Sequence, residues 1–136
     1  MLNSACMYFD IIIQRLSKID ASLVNDSWRY KSAFSLGRTL YQIEHLPSFG
    51  AYRDGQLVSW CLTQFSGYFG IMFTLPEVRR LGIASLVNAS LASELFKFQE
   101  HVFCYVLFGN KASYKMIEKL GYRQTCIIDW LTVTSK

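Results

Sequence analysis

Charge is scarce in this chain. Lysine, arginine, aspartate and glutamate make up 18% of its 136 residues, below the roughly 25% of ordinary soluble domains, and a chain so poor in charge and so rich in apolar residues is not intrinsically disordered. Histidine occurs twice, and His45 and His101 have no ligand spacing; the four cysteines, Cys6, Cys61, Cys104 and Cys126, form no CxxC pair. A metal site is therefore not indicated, and the cysteines read as reduced core thiols. No apolar run reaches the ~18 residues that would span a bilayer. The net charge of +4 is spread along the chain without a basic block, so nucleic acid is not suggested, whereas a small anionic ligand is allowed. Asp10 and Asp20 beside Arg15 and Lys18 leave neither a signal nor a transit peptide visible. No linker, repeat or low-complexity tract divides the sequence, which reads as one domain over residues 1–136.

What the chain does have is apolar mass, 51% hydrophobic and 15% aromatic, enough for a substantial core. Tyr8 to Gln14 predicts a strand, Asp20 an N-cap for a short helix through Trp28, and Ser32 to Glu44 a helix with Ala33, Leu36, Leu40 and Ile43 on its apolar face. Past Pro47, Ser48 to Arg53, Asp54-Gly55 and Leu57 to Gln64 predict a hairpin. Tyr68 to Leu75 is nearly continuous in apolar or small residues and so is expected in the middle of the sheet. Pro76 interrupts its pairing. Ile83, Val87, Leu91, Leu95 and Phe98 form a second helical stripe, Val102 to Phe108 a buried strand, Asn110 to Leu120 a helix closed by Gly121, and Tyr122 to Val133 a last strand. The order is β-α-α-β-β-β-α-β-α-β: an α/β (α+β) fold with one mixed, mostly antiparallel sheet and helices on both faces.

Chemistry concentrates where the expected central strand passes into a helix, Thr74-Leu75-Pro76-Glu77-Val78-Arg79-Arg80-Leu81-Gly82-Ile83-Ala84. Arg79, Gly82 and Ala84 satisfy [Arg/Gln]-x-x-Gly-x-[Gly/Ala]. A helix start offers unpaired N–H groups and the positive end of the helix dipole, and small residues let a phosphate approach. Two arginines there oppose the dipole preference, which an anion would relieve. A strand that splays at a proline exposes amides for an extended ligand such as pantetheine, and coenzyme A carries a pyrophosphate beyond it.

With Asn110-Lys111-Ala112-Ser113 opening a helix that closes in Lys119-Leu120-Gly121-Tyr122, these segments resemble the GCN5-related N-acetyltransferase superfamily. More narrowly, Leu23-Val24-Asn25 with Trp28, and Thr74-Leu75-Pro76-Glu77 leading to Arg79 and Gly82, resemble the C-terminal acyltransferase domain of glycine N-acyltransferase-like proteins over about residues 14–131. The resemblance implies an acyl-coenzyme A co-substrate, no permanently bound cofactor and an acceptor amine of glycine or a similar small amino acid. It implies coenzyme A binding by Phe73, Thr74, Leu75, Arg79, Arg80, Leu81, Gly82, Ile83, Ala84, Asn110 and Ser113, with backbone donors near Phe73 to Leu75 facing the oxyanion. It further implies a missing N-terminal half and a mitochondrial location, the alternative being cytoplasmic; the apolar composition would suit a surface that docks that half or a second copy of the chain. The chain departs from the family twice. Tyr68 stands where relatives of the glycine enzyme carry a glutamate base, and a phenol is a poor base at neutral pH; Ile117 stands where many members carry a tyrosine acid. Tyr68, Glu77 and Tyr114 are the candidate catalytic groups. The alternatives are a catalytically weakened acyl-coenzyme A binding or interaction module, and an acetyltransferase acting on peptide or polyamine amines.

Overall fold

Asp54 and Gly55 take up φ of +50° and +77°, the two left-handed conformations that a two-residue hairpin turn requires. The turn joins β2 (Ser48–Arg53) to β3 (Gln56–Thr63). In the computed structural model, which describes residues 10–135, β1 (Ile11–Arg15) pairs with β2 and β4 (Phe69–Thr74) with β3, all antiparallel, in the order β1-β2-β3-β4. Cys6 and the first residues of the strand expected at Tyr8–Gln14 lie outside the described residues. The helices are α1 (Ala21–Asp26), α2 (Ser35–His45), α3 (Ile83–Leu95) and α4 (Lys111–Lys119). Among the described residues, no helix is long and apolar enough to cross a membrane.

Side chains alternate across the sheet and feed two cores. Ala51, Val58, Cys61 and Phe69 face α3 and α4, meeting Ile83, Val87, Leu91, Leu95 and Ile117. Tyr52, Leu57, Trp60 and Leu62 face α1 and α2, meeting Ala21, Val24 and Ile43. Helices thus cover both faces, as expected. Gly50 lies tight in this packing: a Cβ there would lie 2.5 Å from Leu57 Cδ1 and 2.7 Å from Leu16 Cδ2, so any larger residue would push those side-chain ends aside.

Several expectations are corrected. Strand β4 lies at the end of the described sheet rather than in its middle; beyond it stands one isolated parallel bridge, Phe69 to Cys104. Val102 to Phe108 keeps a strand's period, with Val102, Cys104 and Val106 half-buried and their neighbours exposed, yet the pairing stops because β4 turns away after Phe69. Tyr122 to Val133 forms no strand either: β propensity needs a paired neighbour to be realised, and Val102 to Phe108 offers no ladder. Phe98 falls beyond the end of α3 and is exposed.

Helix α2 buries Ser35, Thr39, Gln42 and Ile43, leaving Leu36 and Ala33 exposed. Hydrogen-bond partners decide its orientation. Ser35 Oγ donates to Asn25 Oδ1 at 2.7 Å, and Gln42 Nε2 donates to the Thr63 carbonyl at 3.0 Å and Gln64 Oε1 at 3.2 Å. Asp20 does not cap α1 with its side chain; its carboxylate accepts from the Ser17 N–H and from the Tyr52 hydroxyl, tying the β1–α1 connection to β2.

Two stability predictions follow from these buried polar groups. Tyr52→Phe leaves Asp20 short of a donor and should cost about 1–3 kcal/mol, read as a lower urea midpoint at unchanged slope; an unmoved midpoint would deny the bond any weight. Burial pushes the Cys104 thiol from 9.0 up to about 11 and the Tyr122 phenol from 10.0 up to about 12, and raises Cys61 as well. Native groups that hold their protons more tightly than unfolded ones stabilise fully below the unfolded value and lose that contribution as pH climbs through the folded one. The urea midpoint should therefore fall from about pH 9 upward, and less steeply in Cys104→Ala.

Candidate functional site

The site begins with a defect in β4. Trp60 pairs with Phe73 and Leu62 with Gly70, so Ile71 and Met72 together oppose Cys61. Ile71 adopts φ +49°, a conformation that a β-branched residue accepts only under constraint. This β-bulge bends the strand and lifts its outer edge. At the near end, the Phe69 N–H still donates to the Phe103 carbonyl at 3.1 Å; past that point β4 has no partner on that side among the described residues.

At the far end, the Leu75 N–H donates to the Val58 carbonyl at 2.8 Å, which takes that amide out of consideration as an oxyanion donor. Backbone groups alternate between the two edges of a strand, so Thr74 and Met72 turn theirs to the open side. There Arg79 Nε donates to the Thr74 carbonyl at 2.9 Å, with its guanidinium 5.4 Å from the centre of the Phe73 ring. Arg79, expected beside the pyrophosphate, is thus anchored to the strand end by one nitrogen. Phe73 stacks on Trp60 across the sheet at 5.2 Å, and Thr74 Oγ1 meets Ser59 Oγ at 2.8 Å.

Pro76–Val78 makes a single 3-10 turn, and the chain enters α3 through Arg80 and Gly82 at φ +63° and +77°. Gly82 occupies the N-cap and has no side chain to satisfy the first turn, which also holds no acidic residue. The N–H groups of Ile83, Ala84 and Ser85 consequently have no acceptor among the described residues. The contrast with α4 is direct: Asn110 Oδ1 accepts the Ser113 N–H at 3.2 Å and closes that helix start. Three open amides, a helix dipole and the exposed Arg79 and Arg80 make the α3 start suited to an anion. Leu81 packs against the core beneath it.

The remaining expected residues are dispersed. Tyr68 lies at the start of β4 within an aromatic group, 4.7 Å from Tyr105 and 6.1 Å from Phe103 between ring centres. Glu77 is exposed in the turn beyond the other end. Tyr68 and Leu75 are seven residues apart, roughly 20 Å of strand, so Tyr68 and Glu77 cannot both serve one reacting atom. Tyr114 is half-exposed on α4, and Ile117 is buried in the core.

One feature was missed in the sequence: a cleft of about 220 Å³ on the α1 side of the bulge, lined by Ser27, Trp28, Arg29, Trp60, Met72 and Phe73 among others. Nothing in the one-dimensional pattern singles out Trp60 from the other apolar residues of Leu57 to Gln64. A larger cleft of about 360 Å³ lies at the opposite end of α3, near Leu95 and Phe98. Its polar side chains Arg15, Gln64 and Gln99 are already bonded within the chain.

Comparison with known proteins adds a family and a fold. The family described as FR47-like protein matches residues 48–131. A Drosophila protein of known structure is 26% identical over 92% of this chain with a TM-score of 0.79; the chain spans 41% of its length. An aminoglycoside 6'-N-acetyltransferase from Acinetobacter haemolyticus is 19% identical, TM-score 0.73, over 92% of this chain and 99% of its own. A protein from Clostridium acetobutylicum, described as a predicted acetyltransferase and solved with acetyl-coenzyme A, is 18% identical, TM-score 0.66, over 91% of this chain and 96% of its own. No curated protein sequence matches the chain. At this identity the last two likenesses speak for the fold, which is that of the GCN5-related N-acetyltransferases.

The left-handed N-cap yields a prediction of its own. Gly82→Ala should lower stability by about 1–2 kcal/mol, since an L side chain is strained at that φ, whereas Arg80→Gly, which removes the same strain two residues earlier, should not destabilise. Thermal unfolding of both variants decides it; a Gly82→Ala protein as stable as the parent would mean that the entry to α3 is not built as described.

Proposed function

The chain belongs to the FR47-like protein family, and from that premise we propose that it is an acyl-coenzyme A dependent N-acyltransferase, passing the acyl group to the amine of glycine or a similar small amino acid. The observation that carries this reading is a pair of open backbone surfaces on the two sides of one short turn. The unpaired edge of β4 comes before Pro76–Val78 and the uncapped amides of α3 come after it, which suits a ligand with amides at one end and a pyrophosphate at the other. Acetyl-coenzyme A in the Clostridium structure, and the aminoglycoside acceptor implied by the name of the Acinetobacter enzyme, support it by analogy of fold.

In this reading the pyrophosphate sits on the Ile83, Ala84 and Ser85 amides, flanked by Arg79 and Arg80. The pantetheine lies along Thr74 and the thioester reaches the bulge at Met72. The acceptor nitrogen forms a C–N bond with the thioester carbon, and open-edge amides hold the oxyanion of the tetrahedral intermediate. The C–S bond then breaks, the nitrogen loses one proton and the departing thiolate gains one. Tyr68 or Glu77 is the candidate for the first transfer and Tyr114 for the second; Asn110 and Ser113 flank the pantetheine. The chain's residence in mitochondria is proposed on the resemblance alone.

A second reading, a coenzyme A binder with little turnover, is favoured by one observation: Ile117, in the place of the superfamily's tyrosine acid, is buried in the core and has nothing to donate. The two separate by measurement. Isothermal titration should show micromolar binding of coenzyme A, weakened at least tenfold by Gly82→Trp and by Arg79→Glu/Arg80→Glu; unaltered binding in both variants would remove the assigned site. Thiol release from benzoyl-coenzyme A with glycine then identifies the enzyme, and tight binding without release identifies the binder.

A further inference from the structure

The segment that follows α4 is apolar and unpaired. From Arg123 to Ser135 no backbone N–H or C=O bonds to another described residue, and Ile127, Trp130, Leu131 and Val133 are 69–93% exposed. The neighbouring stretch Val102 to Phe108 touches it through rings, Tyr105 and Trp130 at 5.7 Å between centres, without a backbone bond. A β-branched and aromatic stretch with free edges is a template for pairing with another strand. Between Arg123 and Val133 the segment holds one cation and one anion, Arg123 and Asp129, placed symmetrically about Cys126. Neither forms an ion pair among the described residues, and the Cys126 thiol is free and exposed.

We infer that this segment is a dimerisation strand: two copies of the chain pair antiparallel over Arg123 to Asp129 about a two-fold axis at Cys126. In that register Arg123 faces Asp129 of the second copy, and the symmetry repeats the contact; Thr125 faces Ile127, Gln124 faces Ile128, and Cys126 faces its own counterpart. Opposite charges directly across a ladder stabilise it, whereas a parallel pair would set Arg123 on Arg123. A slip of one residue puts Arg123 opposite Trp130 or Ile128 and loses both charge pairs. This fit of the segment to itself selects a second copy over a partner of other sequence, since a two-fold interface requires a self-complementary patch. The apolar side chains covered in two copies amount to on the order of 1,000 Å², the scale of a small specific interface. The inference is independent of the acyltransferase reading.

Light scattering on the full chain should show a dimer that dissociates on dilution. Arg123→Asp and Asp129→Arg should each weaken it at least tenfold by setting like charges opposite each other, and the two together should restore it, because the pair is then reversed. Both side chains are exposed, so the fold should survive, and circular dichroism checks that. Cys126 supplies a second readout, since directly opposed residues of an antiparallel pair have Cα atoms about 4.5–5.5 Å apart, within disulfide reach. In a Cys6→Ser background, oxidation by diamide should link two copies, and Cys126→Ser should abolish the link. A chain that stays monomeric at concentrations on the order of 100 μM would overturn the inference and leave the free edge to a partner of other sequence. A dimer that ignores both single charge changes, or that the double exchange does not restore, would place the interface on another surface and overturn it as well. A dimer without the Cys126 link would overturn the register.

Discussion

A backbone amide or carbonyl withdrawn from water must find a partner, and β4 meets that requirement on one edge only. Its inner edge is paired to β3 up to Leu75, while its outer edge is released after Phe69. The elements around it are arranged by this half-open strand. Arg79 folds back to close the Thr74 carbonyl, Pro76 ends the ladder, and Gly82 starts α3 without a capping side chain. A single run of about a dozen residues thereby presents unused donors first along a strand and then around a helix end.

The sheet divides the chemistry between its faces. On one side α3 brings its dipole to the strand end; on the other α1 and α2 enclose Trp60. The polar contacts of α2 give that second wall its stiffness. Ser35 holds Asn25 of α1, and Gln42 and Arg38 hold Gln64 at the end of β3. The α1 end of the segment bearing Ser27 to Arg29 is thereby held to α2 through Asn25. Phe73 is the hinge of the arrangement, carrying Trp60 on one ring face while Arg79 approaches from the strand end.

The hairpin was legible because aspartate and glycine at adjacent positions have few other conformations to offer, and α3 and α4 were legible through apolar spacing and their flanking asparagine and glycine residues. The α3 start was readable too, since a glycine beside small residues at a helix entry has a direct physical meaning. What local sequence does not carry is pairing. Val102 to Phe108 and Tyr122 to Val133 have the composition of strands, yet composition does not supply a neighbour. The orientation of α2 was misjudged for a related reason: its buried side chains are polar, and their burial is decided by Asn25, Thr63 and Gln64, residues distant in sequence. Trp60 is core, and only its unused N–H, visible in three dimensions, sets it apart.

The bulge also reverses which side chains face which helices. Phe69 and Met72 point to α3 and α4, whereas Ile71 and Phe73 point to α1 and α2, an arrangement that a regular alternation cannot give. This is why the stretch reads as continuously apolar. Removal of one residue between Gly70 and Phe73 would restore an even ladder and still leave Phe69 and Phe73 on their present, opposite faces, opposite Thr63 and Trp60. The extra residue is therefore not needed for the two cores; what it adds is the left-handed Ile71 and the bend that carries the outer edge of β4 away from its neighbour.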